Sequence, residues 1–446
     1  MLRGACYEMM MDSLSENNPP MPAKLVRFEP GPLRGSIAVP GDKSISHRAL
    51  IAGAGSSAPL RIANLNPGRD VRATRDALAA LGVRFGSEGA DVVVVGGRLA
   101  SPAATLDCMN SGSTVRMLLG ACSGAGVKAR FDGDESLRRR PMEPVAAQLR
   151  AFGARIKSTG GRLPLGLVGT PQIETREFIL LAPSAQVKSA LLFAGLFADV
   201  AVGIEGDRGS RDHTERLLRY LGADIEWSER SVRLRRAKLA SKPVEVAGDF
   251  SAAAFFITAA TITRGSSIIV QNVGTNPTRT GLIDALRAMG ASIELQNPRV
   301  VSGEPVGEIV AVSRPLQGTN VPADLALRAI DEIPLIAIAA AFAAGTTTIA
   351  GVGDLRTKES DRLNAIERLL ALIGVEAIYE RGVLRIAGGA PQPPEADVTT
   401  TGDDHRVAMA AAVLACAAGP LAIDSDASLD VSFPGFAAAL RGLQSA

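Results

Sequence analysis

The chain has 446 residues, 46% of them hydrophobic, 21% charged and only 4% aromatic, which is ample apolar material for a core and excludes a disordered chain. Forty-eight basic residues against forty-six acidic ones leave a formal charge of +2, so no nucleic-acid partner and no polybasic membrane anchor are expected. Any bound anion must be held by local clusters.

In chain order, residues 1–22 mix Glu8, Asp12 and Glu16 with Asn17-Asn18-Pro19-Pro20 and lack an apolar stretch, which reads as a flexible N-terminal extension and not a secretory signal. From there one kind of segment recurs six times, a polar or glycine-containing turn running into an alanine-rich helix, at 41–54, 110–122, 183–196, 248–261, 330–345 and 402–419. Each is followed by a more amphipathic helix, at 69–83, 138–154, 210–223, 276–291, 358–375 and 432–443. Glycines that close these second helices stand at 82, 153, 222, 290 and 374, in steps of 71, 69, 68 and 84 residues, with Gly442 as a ragged sixth. A glycine just past a helix suits the left-handed conformation that ends it. Two short β-rich runs around a turn follow most of them, as at Val83–Phe85 with Asp91–Val95 and at Ser292–Leu295 with Ile309–Val312. The unit is strand, helix, strand, helix, hairpin, and six units suggest an α/β protein with sheets outside and alanine-rich helices inside, three units to a domain.

The longest charge-free runs, Ile333–Gly353 and Val407–Ile423, are broken by Pro334 and Gly345 or by Gly419-Pro420, short of the roughly 20 apolar residues of a spanning helix. They read as buried core helices, and no membrane association is expected. Cys6, Cys108, Cys122 and Cys416, with His47, His213 and His405, show no metal-ligand spacing, so no metal and a reducing cytoplasm are expected.

The helix openings carry the chemistry. Lys43-Ser44 with Arg48, Asn110-Ser111-Gly112-Ser113-Thr114 with Arg116, and Ser184-Ala185-Gln186 with Lys188 place hydroxyls, a small residue and a cation where free backbone N–H groups and a positive dipole end favour an anion. Each serine taken alone would be only a helix cap; three on equivalent repeats point to binding of several anionic groups. The second helices open on Arg138-Arg139-Arg140, Ser210-Arg211-Asp212-His213 and Lys358-Glu359 with Arg362. Cations there oppose the dipole, a conflict that an anionic ligand removes. Asp331-Glu332 and Asp404-His405-Arg406 head strongly apolar helices, where an acid is either a cap or a general base facing the cations.

Eight strings in order, PGDKSISHRAL (40–50), NSGSTVR (110–116), RRP (139–141), SAQVKSALL (184–192), SRDHTE (210–215), DEIP (331–334), LRTKESDRL (355–363) and DDHRVAMA (403–410), resemble the enolpyruvyl transferases of the shikimate-pathway branch, from about Leu25 to Leu443. The SAQVKSA and SRDHTE forms are similar to the bacterial subgroup called class II. The resemblance implies a two-domain inside-out α/β barrel of three βαβαββ repeats per domain. Residues 42–246 would form one domain, 23–41 with 247–446 the other, and the active site the cleft between them. It implies transfer of the carboxyvinyl group of phosphoenolpyruvate to the 5-hydroxyl of shikimate 3-phosphate through a tetrahedral intermediate, by a cytoplasmic monomer with no cofactor.

By the same resemblance, Asp331 would be the base on the 5-hydroxyl, Glu359 the acid toward the methylene carbon, and Lys43 a contact to both substrates that helps move protons. Gly112, Arg140 and Gln186 would hold the phosphoenolpyruvate phosphate, with Arg362 and Arg406 on its carboxylate. Ser44, Arg48, Ser184, Ala185, Gln186, Arg211 and Lys358 would bind shikimate 3-phosphate, with Lys43 and Asp331. His405 would stand beside the site. Met117, Ala185, Asp354 and Val431 depart from the commoner pattern, the last by replacing a lysine near the phosphate. The nearest rival is the relative that acts on UDP-N-acetylglucosamine, which would show Lys-Asn in place of Lys43-Ser44 and a reactive loop cysteine. A non-catalytic anion-binding relative would have little use for Asp331 and Glu359 together.

Overall fold

The structure, a computed structural model, describes residues 25–169, 173–236, 238–389 and 391–446; the N-terminal extension with Cys6 lies outside the described residues. Six small sheets carry the repeats. The third shows the plan: Arg176–Ile179 lies parallel to Val202–Glu205, which is antiparallel to Ser231–Leu234, which pairs with Ile225–Trp227. The second repeat uses Leu106–Asp107, Ala129–Asp132, Arg162–Leu167 and Ile156–Thr159 in the same order. The fifth uses Leu316–Gln317, Ala343–Ala350, Val383–Gly388 and Ala377–Glu380.

Two strands are exchanged between distant repeats. Arg34–Ala38, which precedes the first helix, lies parallel to Ser267–Gly274 in the fourth sheet, while Val244–Glu245, which precedes the fourth repeat's helix, lies parallel to Leu60–Ala63 in the first. Among the described residues the sixth sheet has no hairpin of its own. Val26–Phe28 takes that place, antiparallel to Leu421–Ile423.

The helices are α1 (Lys43–Ala54) and α2 (Arg69–Ala80) in the first repeat; α3 (Gly112–Gly124), α4 (Glu135–Arg139) and α5 (Glu143–Ala151) in the second; and α6 (Ala185–Ala198) and α7 (His213–Tyr220) in the third. The fourth has α8 (Phe250–Ile262) and α9 (Gly281–Ala288), the fifth α10 (Ala323–Arg328), α11 (Ile333–Ala341) and α12 (Arg362–Ala371), and the sixth α13 (His405–Ala418) and α14 (Phe436–Gln444). One core gathers apolar side chains between Ile45 and Ala247, the other those of Phe28–Val39 and Phe250–Leu443, with Val306 alone among the described, fully buried residues crossing to the first. Inner helices α8 and α13 are buried around nearly their whole circumference, so they carry no polar stripe. Small residues let them approach. A Cβ on Gly120 of α3 would stand 2.1 Å from the Ala190 carbonyl oxygen of α6, and one on Gly124 2.1 Å from that of Ala194.

Gly82, Gly153, Gly222, Gly290 and Gly374 all take positive φ after their helices. Gly442 does not close a helix, because α14 continues through it to Gln444. The charge-free run from Ile333 is not one helix either: α11 ends at Ala341 and Ala343–Ala350 is a strand of β-branched threonines and isoleucine. The 138–154 segment is two helices interrupted at Arg140-Pro141, with Arg140 extended. Helix α12 begins only at Arg362, so Lys358 and Glu359 lie on its lead-in and do not share a helix face with Arg362. No helix among the described residues is long and apolar enough to cross a membrane.

Helix propensity would favour Gly120→Ala by about 1 kcal/mol, but the facing backbone carbonyl cannot rotate away. The substitution is expected to destabilise by about 1–3 kcal/mol in urea denaturation, and an unchanged midpoint would contradict this packing.

Candidate active site

Two backbone crossings join the cores, and they touch. The Asp42 N–H donates to the Ala247 carbonyl at 2.7 Å, and the Asp249 N–H to that of Pro40 at 2.8 Å. Gly41 is obligatory there, since a Cβ would lie 1.8 Å from the Asn64 carbonyl oxygen. Asp42 caps α1 and Asp249 caps α8, and Asp249 Oδ2 also accepts from the Lys43 N–H at 3.2 Å. The starts of α1 and α8 therefore lie side by side, and Lys43 is fixed by both cores. Burial and then the neighbouring Asp249 carboxylate push the Asp42 carboxyl up.

The second core presents two partly open acids among arginines. Asp331 lies in the turn before α11 and Glu359 on the lead-in to α12, with 16% and 25% of their side-chain surface exposed. Arg362, the first residue of α12, is fully buried between three carboxylates: its Nη2 donates to Glu359 Oε2 at 2.5 Å, its Nη1 to Asp331 Oδ1 at 3.5 Å, and its Nε to Asp404 Oδ2 at 2.8 Å. Arg406 sits 3.5 Å from Asp331 Oδ2, donates to the Asp331 carbonyl and to Glu332 Oε1 at 3.3 Å, and bonds Ser251 Oγ. Glu332 is completely buried and also accepts from Arg279 at 2.6 Å. Each arginine fork is thus held from behind by a buried acid, Asp404 or Glu332.

The first core answers with cations. Arg211, just ahead of α7, donates to Asp331 Oδ2 at 2.6 Å. Arg140 donates to Glu359 Oε1 at 3.4 Å and bonds Asn110 Oδ1, while Ser136 Oγ donates to the Glu359 carbonyl at 3.2 Å. Gln186, second residue of α6, accepts from Arg116 at 2.8 Å and donates to Ser113 Oγ at 3.0 Å. Gly112 opens α3 against these groups, and a Cβ there would stand 2.5 Å from Arg116 Nη1 and 3.3 Å from Arg140 Nη1. Lys43 Nζ donates to Asp70 Oδ2 at 2.8 Å. Arg48 donates through Nε to Thr214 Oγ1 at 2.7 Å, through Nη2 to Ser189 Oγ at 2.9 Å and through Nη1 to the Ser44 carbonyl at 2.8 Å.

These contacts decide the charge states. Burial alone would raise the Asp331 carboxyl, but Arg406, Arg211 and Lys358 hold it well below the usual carboxylate range. Burial opposes ionisation of Glu359 as well, and Arg362 and Arg140 outweigh it in the same way. The cations feel the reverse crowding. Burial and then Arg140 lower Arg116 to about 10, and burial lowers Arg48 to about 10 against the pull of Glu215. Lys358 is likewise lowered by burial, with Asp331 opposing. His405 is pushed well below its ordinary value by burial and by Lys43 and Arg406.

The sequence candidates separate cleanly. Ser111 and Ser184 do cap their helices, accepting from the Thr114 and Val187 N–H groups, and Asp404 caps α13. Ser44 is no cap; it lies inside α1. Ala185 opens α6, and its carbonyl accepts from Ser189 Oγ at 2.6 Å. Arg138 and Arg139 point outward to Asp132 and Glu135, a solvated face, and only Arg140 turns inward. Asp331 is not a cap. Asp70 and Ser136 join the site beyond the residues expected there, and Asn110 and Arg116, named at the α3 opening without a substrate role, join it too. Asn110 and Arg116 fall inside the NSGSTVR string, whereas Asp70 and Ser136 reach the site only through long-range pairing.

The repeats around two cores, with anion-seeking helix starts facing each other, define the enolpyruvyl transferase fold; the enolpyruvyl transferase NikO from Streptomyces tendae superposes with a TM-score of 0.70 over 95% of this chain and 98% of its own, at 20% identity. A solved EPSP synthase from Acinetobacter baumannii is closer in form, with a TM-score of 0.82 and 36% identity over 94% of this chain and 98% of that one. The curated 3-phosphoshikimate 1-carboxyvinyltransferases of Anaeromyxobacter sp. (strain K) and Thermus thermophilus are each 44% identical over 91% of this chain, and over 93% and 95% of theirs. Residues 28–440 match the family EPSP synthase (3-phosphoshikimate 1-carboxyvinyltransferase), and the chain belongs to that family.

His405 yields a stability prediction. Its folded value lies below its unfolded one, so between pH about 6.5 and the folded value the unfolded chain binds more protons and stability falls with falling pH. The stability of the native chain minus that of His405→Gln, from urea curves at pH 7, 6 and 5, should drop by up to about 1.4 kcal/mol per pH unit. A difference independent of pH would show that His405 protonates freely in the fold.

Proposed function

We propose that this chain transfers the carboxyvinyl group of phosphoenolpyruvate to the 5-hydroxyl of shikimate 3-phosphate, releasing phosphate, as a step of aromatic amino acid biosynthesis. Family membership supports the reaction. The observation that supports the site is the meeting of Asp331 and Glu359, one from each of two loops of the second core, with Arg211 and Arg140 of the first.

Two anionic substrates supply what the free site lacks. Ser44, Arg48, Ser184, the Ala185 backbone, Gln186, Arg211 and Lys358 take shikimate 3-phosphate, with Lys43 and Asp331 beside it. Arg140, Gln186 and the Gly112 backbone take the phosphate of phosphoenolpyruvate, and the Arg362 and Arg406 forks its carboxylate, a bidentate match. As the substrates take these cations, the carboxyls of Asp331 and Glu359 lose the charges that hold them low and rise toward the range where a proton can be exchanged. In the addition step the 5-hydroxyl oxygen bonds the central carbon of phosphoenolpyruvate. Its proton passes toward Asp331, with Lys43 assisting, and Glu359 delivers a proton to the methylene carbon. In the elimination step that carbon gives a proton back as the carbon–oxygen bond to phosphate breaks and phosphate leaves. The pairing positions both reactants, which is itself a large part of such a rate enhancement.

An enzyme acting on UDP-N-acetylglucosamine would need a reactive loop cysteine. The Cys108 and Cys122 thiols are fully buried, and burial pushes both up, Cys122 to about 12, so neither is a reactive nucleophile. Two domains, 42–246 and 23–41 with 247–446, a monomeric state and a cytoplasmic location complete the reading. The two separate cores support the division.

Phosphate release from phosphoenolpyruvate should require shikimate 3-phosphate, and release with UDP-N-acetylglucosamine instead would overturn the acceptor. Asp331→Asn and Glu359→Gln should each lower kcat by about 10²-fold or more while calorimetric affinity for shikimate 3-phosphate stays within a few-fold. Loss of binding with kcat retained would show that these residues only hold substrate.

A further inference from the structure

Four residues past their caps, the inner helices carry Ser46, Val115, Ala253, Ile336 and Ala408, all buried and uncharged. The corresponding residue of α6 is Lys188, with 1% of its side chain exposed. A buried ammonium is costly unless paired, so its presence in an otherwise uncharged position needs a reason.

Its partners lie around the segment that carries Arg211. Lys188 Nζ donates to Asp207 Oδ2 at 2.6 Å and to the Ser210 carbonyl at 3.3 Å, and lies 2.6 Å from Glu215 Oε1 of α7. Ser210 Oγ closes the circuit on Asp207 Oδ1 at 2.5 Å. The loop needs such a tie. Gly206, Arg208 and Gly209 all have positive φ, so no strand or helix continues through it. Next to Arg208 and Gly209, Ser210 is pinned, and Arg211 follows at once with its 2.6 Å reach to Asp331.

The same join seats a second cation one residue over. Ser189, beside Lys188, shares a 2.7 Å hydrogen bond with Thr214, beside Glu215, and both hydroxyls accept from Arg48. An ionic contact between α6 and α7 thus underlies a hydroxyl contact that fixes Arg48. Glu215 is completely buried, which pushes its carboxyl up, and the Lys188 ammonium 2.6 Å away opposes that rise.

Resting on the acceptor proposed above, we infer that Lys188 is a positioning residue for shikimate 3-phosphate: it locks the 207–212 loop and α7 to α6, and so sets Arg211 and Arg48 at the separation that one phosphorylated substrate requires. It touches no substrate itself.

The test uses the full chain. Lys188→Met/Asp207→Asn/Glu215→Gln removes the cation without leaving an unpaired buried charge, and Ser210→Ala loosens the loop while the buried ions stay in place. Steady-state phosphate release gives KM for each substrate, and thermal melting reports the fold. The native chain is assayed first: if it does not use shikimate 3-phosphate, the acceptor reading fails before any variant is made. With that activity present, the triple variant should raise KM for shikimate 3-phosphate about tenfold or more, and Ser210→Ala about threefold, with KM for phosphoenolpyruvate changed less than about twofold. A folded variant of either kind with both KM values unchanged, or with both raised equally, would overturn the inference. Should the triple variant not fold, Ser210→Ala decides by the same criterion.

Discussion

Everything in the site depends on one shared carboxylate. Asp331 stands at the junction of the two cores and meets Arg211 from one and Arg362 and Arg406 from the other, with Lys358 adding to their field. Asp331 is over-compensated even though Asp404 and Glu332 share Arg362 and Arg406 with it, and the neighbouring Glu359, caught between Arg362 and Arg140, is in the same position. The free site therefore carries an excess of positive charge in a low-dielectric cleft, which is what a pair of anions would neutralise. The overall +2 hides this, because acids elsewhere balance it.

The repeat architecture makes that convergence possible. Every unit brings the start of a buried helix, and the loop ahead of its second helix, to the same end. The exchange of Arg34–Ala38 and Val244–Glu245 between the first and fourth sheets then knots the two cores together at the starts of α1 and α8. The inner helices can be almost wholly apolar because the polar work is confined to their first turns. Charge deeper in is held at Arg48 by Ser189 and Thr214 and at Lys188 by Asp207 and Glu215, and the two sets of partners adjoin.

Much of this is legible in the sequence, for local reasons. The five closing glycines announce the repeat because only a residue free at positive φ ends those helices cheaply. The strings that carry Lys43, Arg140, Arg211, Asp331, Glu359, Arg362 and Arg406 do converge. What is not legible depends on contacts distant in sequence. Nothing near Asp70 signals that it will hold Lys43 Nζ, and nothing near Ser136 that it will meet Glu359. Helix limits err at 138–142 because Arg140 precedes Pro141, which disfavours helical backbone there, and at 358–361 because Glu359 and Ser360 meet partners on other segments, Arg140 and Asp404. Gly442 misleads because its spacing matches and its conformation does not.

Cations of both cores hold Asp331 and Glu359 ionised in the substrate-free protein. Carbon-13 NMR of the labelled side-chain carboxyls, assigned through Asp331→Asn and Glu359→Gln, measures this directly. Both resonances should stay at the ionised position from pH 7 down to about 4, below the ordinary midpoint of a glutamate, and begin to move upward in pH only once shikimate 3-phosphate and phosphoenolpyruvate are bound. A midpoint at or above the ordinary carboxylate value in the free protein would show that the surrounding cations do not hold these acids ionised.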